Sequence, residues 1–121
     1  MKRRRILLVD DHEVVRKGLG GLLDPKWEIC GEAANGSEAL QKVVELNPDL
    51  VLLDLNMPVM GGMATALAIR NIAPHIKIVF FSMHDGKSLE QMGKMVHVDA
   101  YLSKGCTGGK LNKTIAHLLH A

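Results

Sequence analysis

The chain has 121 residues, enough for one domain with a single core, and 47% of them are apolar. A net charge of +2 is too small to argue for nucleic acid by itself. No apolar stretch approaches transmembrane length, and the run after Lys2-Arg3-Arg4-Arg5 stops at two aspartates, too short for a secretory signal.

In chain order, strand and helix signals alternate. Arg5 to Val9 reads as a strand. Glu13 to Leu23 reads as a helix with Val15, Leu19 and Leu22 inward, weakened at Gly18, Gly20 and Gly21 by roughly 1 kcal/mol each relative to Ala. Asp24-Pro25 ends it, and Glu28 to Ala33 is a short second strand. Asn35-Gly36-Ser37 starts a second helix with Leu40, Val43 and Val44 inward, and Asn47-Pro48 stops it. Leu50 to Leu53 is a third strand, running straight into Asp54. Met63 to Asn71 is a third helix with Ala64, Leu67 and Ala68 inward. Ile76 to Phe81 is a fourth strand, followed by the loop Ser82-Met83-His84-Asp85-Gly86. Leu89, Met92 and Val96 mark a fourth helix, Ala100-Tyr101-Leu102 a fifth strand, and Leu111, Ile115 and Leu118 a last helix. No linker, low-complexity tract or repeat interrupts the alternation. Aromatics are scarce, so the core is Leu, Val, Ile, Ala and Met, and the methionines read mostly as filler. Cys30 and Cys106 form no spaced motif and read as reduced cytoplasmic thiols.

Five strands alternating with five helices predict an α/β fold: a doubly wound parallel sheet with right-handed crossovers. A lone Asp after a strand reads as a turn residue. Here two apolar strands end in acid, Ile6-Leu7-Leu8-Val9 before Asp10-Asp11 and Val51-Leu52-Leu53 before Asp54. In the strand order 2-1-3-4-5 the first and third strands are adjacent and the order reverses between them, which is where such sheets bind ligands. Asp10, Asp11 and Asp54 then converge in one crevice. Ser82 and Lys104 end the fourth and fifth strands on the same edge.

Three close carboxylates repel one another and call for a cation. Hard oxygen ligands with open positions suit Mg2+, which keeps several waters and shares a phosphate. Lys104 adds a compact charge able to pair with a phosphoryl oxygen, and Ser82 adds a hydroxyl donor. Together these groups suit phosphoryl transfer, where positioning and charge neutralisation dominate. Asp54 stands alone, with Asn56 and Pro58 shaping the turn after it, so it is the better nucleophile. The paired Asp10 and Asp11 are the better metal site.

The segments Val9-Asp10-Asp11-His12, Asp54-Leu55-Asn56-Met57-Pro58, Ser82 and Tyr101-Leu102-Ser103-Lys104 resemble the receiver domain of bacterial two-component response regulators, over almost the whole chain. His12-Glu13-Val14-Val15-Arg16, Gly31-Glu32-Ala33-Ala34-Asn35-Gly36 and Ser82-Met83-His84-Asp85 are similar to the NarL/FixJ branch, which carries a C-terminal LuxR-type helix-turn-helix. The resemblance implies a flavodoxin-like (βα)5 receiver over residues 1–121 and a phosphoacceptor regulatory domain rather than an enzyme. It implies that Asp54 accepts the phosphoryl group. It further implies that Asp11, Asp54 and the backbone carbonyl of Asn56 ligate Mg2+ directly, with Asp10 acting through water. Lys104 would contact the phosphoryl group, Ser82 would turn towards it, and Tyr101 would report activation by its rotamer; without the resemblance, Tyr101 reads as packing at a strand edge. The implied partners are a sensor histidine kinase, DNA through an output domain, and a second copy on phosphorylation; the membrane is not among them.

Some positions depart from the pattern. Gly105 follows the lysine where Pro is common, and His97 stands where Gly is usual, so a positive φ there would carry strain. Gly61 stands where an acid is common, and Thr107 would cap a last helix whose first turn is Gly108-Gly109. The six His residues show no metal-ligand spacing; His12 and His84 could line the crevice but read as exposed polar residues. A phosphatase of the haloacid dehalogenase type would need Asp-x-Asp after the first strand. A flavin-binding module would need a phosphate loop there instead of two aspartates. The chain ends just after the fifth helix, so an effector domain is expected to be absent or cut away; the alternative output is a stand-alone regulator acting by protein contact.

Overall fold

In a computed structural model, residues 3–57, 60–83 and 86–121 are described. Strands β1 (Arg5–Val9), β2 (Glu28–Ala33), β3 (Leu50–Leu53), β4 (Lys77–Ser82) and β5 (Ala100–Ser103) alternate with helices α1 (Glu13–Leu22), α2 (Gly36–Leu46), α3 (Gly62–Ile72), α4 (Gly86–Met95) and α5 (Gly108–Leu119). The sheet is parallel in order β2-β1-β3-β4-β5, as the alternation predicted. No described helix is long and apolar enough to cross a membrane. Pro58, His84 and Asp85, and the side chain of Leu89, lie outside the described residues.

Side chains alternate across a strand, so the central strands feed two cores. Leu7, Val9, Val51, Leu53, Ile78 and Phe80 face α2, α3 and the end of α4. Ile6, Leu8, Leu50, Leu52, Val79 and Phe81 face α1 and α5, with Trp27 among them. Both faces are covered, which is why β1 and β3 read as unbroken apolar runs. The caps agree with the sequence. Asn35 Oδ1 accepts from Glu38 N–H at 2.9 Å, and Thr107 Oγ1 accepts from Lys110 N–H at 3.1 Å.

The strands agree with expectation more closely than the helix faces do. β4 is displaced by one residue, to Lys77–Ser82, and α1 ends at Leu22. In α1 the buried residue is Leu19, and Leu23 just past the helix end is buried too; Leu22, expected inward, is half exposed. In α2 Val43 is buried and Ala39 with it, whereas Val44 is 73% exposed. In α3 the expected face is wrong: Thr65, Ala66 and Ile69 point inward, and Ala64 and Leu67 outward. In α5 Leu111, Ile115 and Leu119 are buried, with Leu118 only partly so. Each error falls where apolar residues are consecutive, so periodicity fixes the helix but not its rotation.

Candidate functional site

β1 and β3 pair in register, with Val9 opposite Leu53. The next residue of each strand is therefore an aspartate, and the ladder continues one step through Asp54 N–H to Val9 O at 2.9 Å and Asp10 N–H to Ala33 O at 3.0 Å. Asp10 and Asp54 are thus buried side by side at the carboxyl edge of the sheet, 1% and 4% exposed. Ser82, wholly buried, ends β4, and its carbonyl accepts from Lys104 N–H at 2.7 Å just past β5. That bond sets the root of the lysine side chain. Lys104 Nζ then reaches across to Asp10 Oδ2 at 2.7 Å and Asp54 Oδ1 at 3.5 Å. One lysine residue thus joins four strand ends: its ammonium ties β1 to β3, and its backbone N–H ties the end of β5 to β4.

Burial pushes the Asp54 carboxyl above the usual carboxylate range, and the Asp10 charge pushes the same way; Lys104 and the Asn56 N–H, 3.3 Å from Oδ1, offset part of this. The turn after Asp54 is packed against the start of α3. Gly62 N–H donates to Leu55 O at 2.9 Å, and a Cβ at Gly62 would come within 2.5 Å of Asp54 O and 2.6 Å of Leu55 Cα. Only glycine permits that approach.

Asp11 is partly exposed, but its Oδ1 is buried and receives no hydrogen bond. Asp10, Asp11 and His12 each offer one ligand atom, and these atoms lie within 4.8 Å of one another. An orphaned carboxylate oxygen within such a set fits a divalent cation. Asp54 is not in this mutually close set; its carboxylate faces Lys104 and the Asn56 amide.

Asp10, Asp54, Ser82 and Lys104 are therefore brought together, with Asp11 on their rim. Tyr101 sits on edge strand β5 opposite Phe80, 37% exposed. Two further residues reach the site. His12, read as a polar surface residue, has an exposed side chain, yet its Nδ1 lies 3.0 Å from Asp11 Oδ1 and 3.3 Å from Asp10 Oδ1. Its place directly after the acid pair was the available signal. Arg16 donates to the Asp10 carbonyl at 2.6 Å and to Glu32 Oε1 at 2.8 Å, pinning the β1–α1 turn against β2. Its signal was weak, one cation among several on a helix. Among the departures, His97 does adopt a positive φ of 54°, and the described peptide bonds, Lys104–Gly105 among them, include no cis bond.

The sequence model of the response regulator receiver domain family matches residues 6–116. The nitrate/nitrite response regulator protein NarL of Escherichia coli (strain K12) is 38% identical over 101 residues, 82% of this chain and 47% of that protein. A protein-glutamate methylesterase/protein-glutamine glutaminase of Syntrophomonas wolfei is also 38% identical, over 102 residues covering 83% of this chain and 29% of that protein. The chain thus spans between about a third and a half of these curated relatives. Among solved structures, a LuxR-family two-component response regulator from Aurantimonas sp. SI85-9A1 superposes with a TM-score of 0.91 at 31% identity, covering 98% of this chain and 86% of that one.

Proposed function

Because the chain belongs to the response regulator receiver domain family, we propose that it takes a phosphoryl group onto Asp54 from the phosphohistidine of a sensor kinase, and that this switches an output face. The observation that carries the reading is the buried Asp54 carboxylate beside Lys104 Nζ, with Asp10 completing the bridge.

Asp54 in its ionised form supplies the lone pair. A bond forms from its carboxylate oxygen to phosphorus as the bond from phosphorus to the kinase imidazole nitrogen breaks, and the acceptor becomes an acyl phosphate. Lys104 already stands between two carboxylates, so a short swing of its Nζ pairs it with a phosphoryl oxygen. Ser82 lies at the end of the neighbouring strand, where its hydroxyl can turn to a second phosphoryl oxygen. Asp11, Asp54 and the Asn56 carbonyl would hold Mg2+, with Asp10 acting through water. When bound, the ion offsets negative charge on the phosphoryl oxygens. Burial of Asp54 and Ser82 keeps bulk water from the acyl phosphate.

The output reading is transcription control through a C-terminal DNA-binding domain in the full protein. The similarity to NarL and to a LuxR-family regulator supports it. The methylesterase relatives favour a second reading, in which the receiver regulates an attached enzyme. A kinase donor implies a cytoplasmic site of action, and phosphorylation-driven dimerisation is compatible with either output.

Intact mass after incubation with acetyl phosphate and Mg2+ tests the acceptor. The wild type should gain a single phosphoryl group and Asp54→Asn none. A gain that persists in Asp54→Asn removes Asp54 from the role.

A further inference from the structure

The receiver reading leaves His12 without a task, although its ring touches both members of the acid pair. Adjacent ligand atoms around a six-coordinate ion with bonds of about 2.1 Å lie about 3 Å apart. His12 Nδ1 is 3.0 Å from Asp11 Oδ1 and 3.3 Å from Asp10 Oδ1, so the ring nitrogen stands from each carboxylate at the spacing of neighbouring ligands in such a shell. A second observation points the same way. Asp11 Oδ1 is buried yet receives no hydrogen bond, even with a ring nitrogen 3.0 Å away. The ring nitrogen's own hydrogen bond, to Asp10 Oδ1, is long at 3.3 Å, and a cation seated between the ring and Asp11 Oδ1 would replace it. Asp10 divides its oxygens, Oδ2 towards Lys104 and Oδ1 towards His12. The His12 side chain is 67% exposed, which leaves the outer face open to water.

We propose that His12 is a further protein ligand of the metal pocket, and that its imidazole shifts the preference from Mg2+ towards first-row ions of the Zn2+ type. The inference deepens the metal half of the receiver reading and rests on it. The chemical reason is ligand softness. Carboxylate and water suit Mg2+, whereas imidazole adds affinity for Zn2+ and its neighbours. Because Mg2+ gains little from a ring nitrogen, the His12 contribution appears in the ratio of the two affinities.

Isothermal titration with Zn2+ and, separately, Mg2+ measures that ratio in wild type, His12→Ala and His12→Gln. The Zn2+-to-Mg2+ affinity ratio should fall at least about tenfold in both variants, on the scale at which metal sites lose affinity when a supporting group is removed. The ring 15N spectrum gives a second readout: the His12 Nδ1 resonance should move on Zn2+ binding, ahead of the other five histidines. An unchanged ratio, or Zn2+ shifts confined to other histidines, overturns the proposal and leaves His12 as an ion-pair partner of the acid pair. Acetyl phosphate labelling of the wild type with Mg2+ is read separately. Its failure would sink the phosphoacceptor reading while the affinity ratio still reported on His12.

Discussion

Asp54 ionises in surroundings that oppose its charge. Burial and the neighbouring Asp10 raise its affinity for a proton above that of the unfolded chain. Between the unfolded value, about 3.9, and the raised native value, the folded state binds more protons, so stability falls as pH rises through the native value. Above it the penalty is complete. Asp54→Asn removes the charge and should be more stable than wild type near pH 7, with the gap in melting temperature shrinking as pH falls towards 4. A gap that widens on acidification would mean that Lys104 outweighs burial. His97 poses a different residue-scale problem. Its φ of 54° puts a non-glycine residue in the left-handed region, at a cost of roughly 1–2 kcal/mol, while Arg70 Nη2 donates to its carbonyl at 3.1 Å and holds the turn. His97→Gly should raise the urea midpoint by an amount equivalent to about 0.5–1 kcal/mol, since glycine also gains freedom in the unfolded chain. No rise would show that the histidine makes compensating contacts.

At the scale of elements, α5 is attached to the α1–β2 turn by one side chain. Asn112 Oδ1 accepts from Asp24 N–H at 2.8 Å and Trp27 Nε1–H at 3.1 Å, and its Nδ2 donates to Leu22 O at 2.9 Å and Gly108 O at 2.8 Å. All the amide's donors are used. The same carboxamide therefore fixes where α5 begins and where α1 ends. Asn112→Ala strands the indole N–H of Trp27, which is 3% exposed, and should cost about 1–3 kcal/mol by chemical denaturation. Trp27 emission should shift with it, because its hydrogen-bond partner is lost. Asn112→Asp keeps the acceptor and should fall between. Equal stability in all three proteins would reduce the latch to packing. α3 shows why such tertiary ties matter. It is apolar nearly all round, so its sequence leaves its rotation open. Thr65 is buried because its Oγ1 donates to Gly61 O at 2.9 Å, and no periodicity signals that.

For the whole molecule, the question is how a change at Asp54 reaches another surface. Ser82 ends β4 and its carbonyl holds Lys104, so a movement of Ser82 bears on both β4 and β5. A charge-assisted hydrogen bond from Ser82 to a phosphoryl oxygen is roughly twice as strong as a neutral one. Coupling between sites is typically ~1–3 kcal/mol, a range one such bond can reach. Tyr101 lies opposite Phe80 on the edge strand and is 37% exposed. Beryllofluoride should therefore shift amides between Met92 and Leu102 in wild type, and shift them less in Ser82→Ala. The same full set of shifts in both proteins would remove Ser82 from the route.

The sequence by itself determined the strands, their parallel order and the carboxyl-edge position of Asp10, Asp11, Asp54, Ser82 and Lys104. It could do so because β1, β3, β4 and β5 are short apolar runs ended by a polar residue, and a doubly wound sheet brings those ends to one edge. Asn35 and Thr107 were legible as caps because capping depends on a few neighbouring residues. The rotation of α2 and α3, the Asn112 latch and the Arg16 brace were decided only in three dimensions. Where Val43 and Val44, or Ala66 and Leu67, are adjacent and equally apolar, only the neighbouring helix and sheet choose which is buried. His12 belongs with these. Its position after the acid pair is a fact of sequence, but the turn held by Arg16 and the Asp10 carboxylate is what aims the ring at both carboxylates.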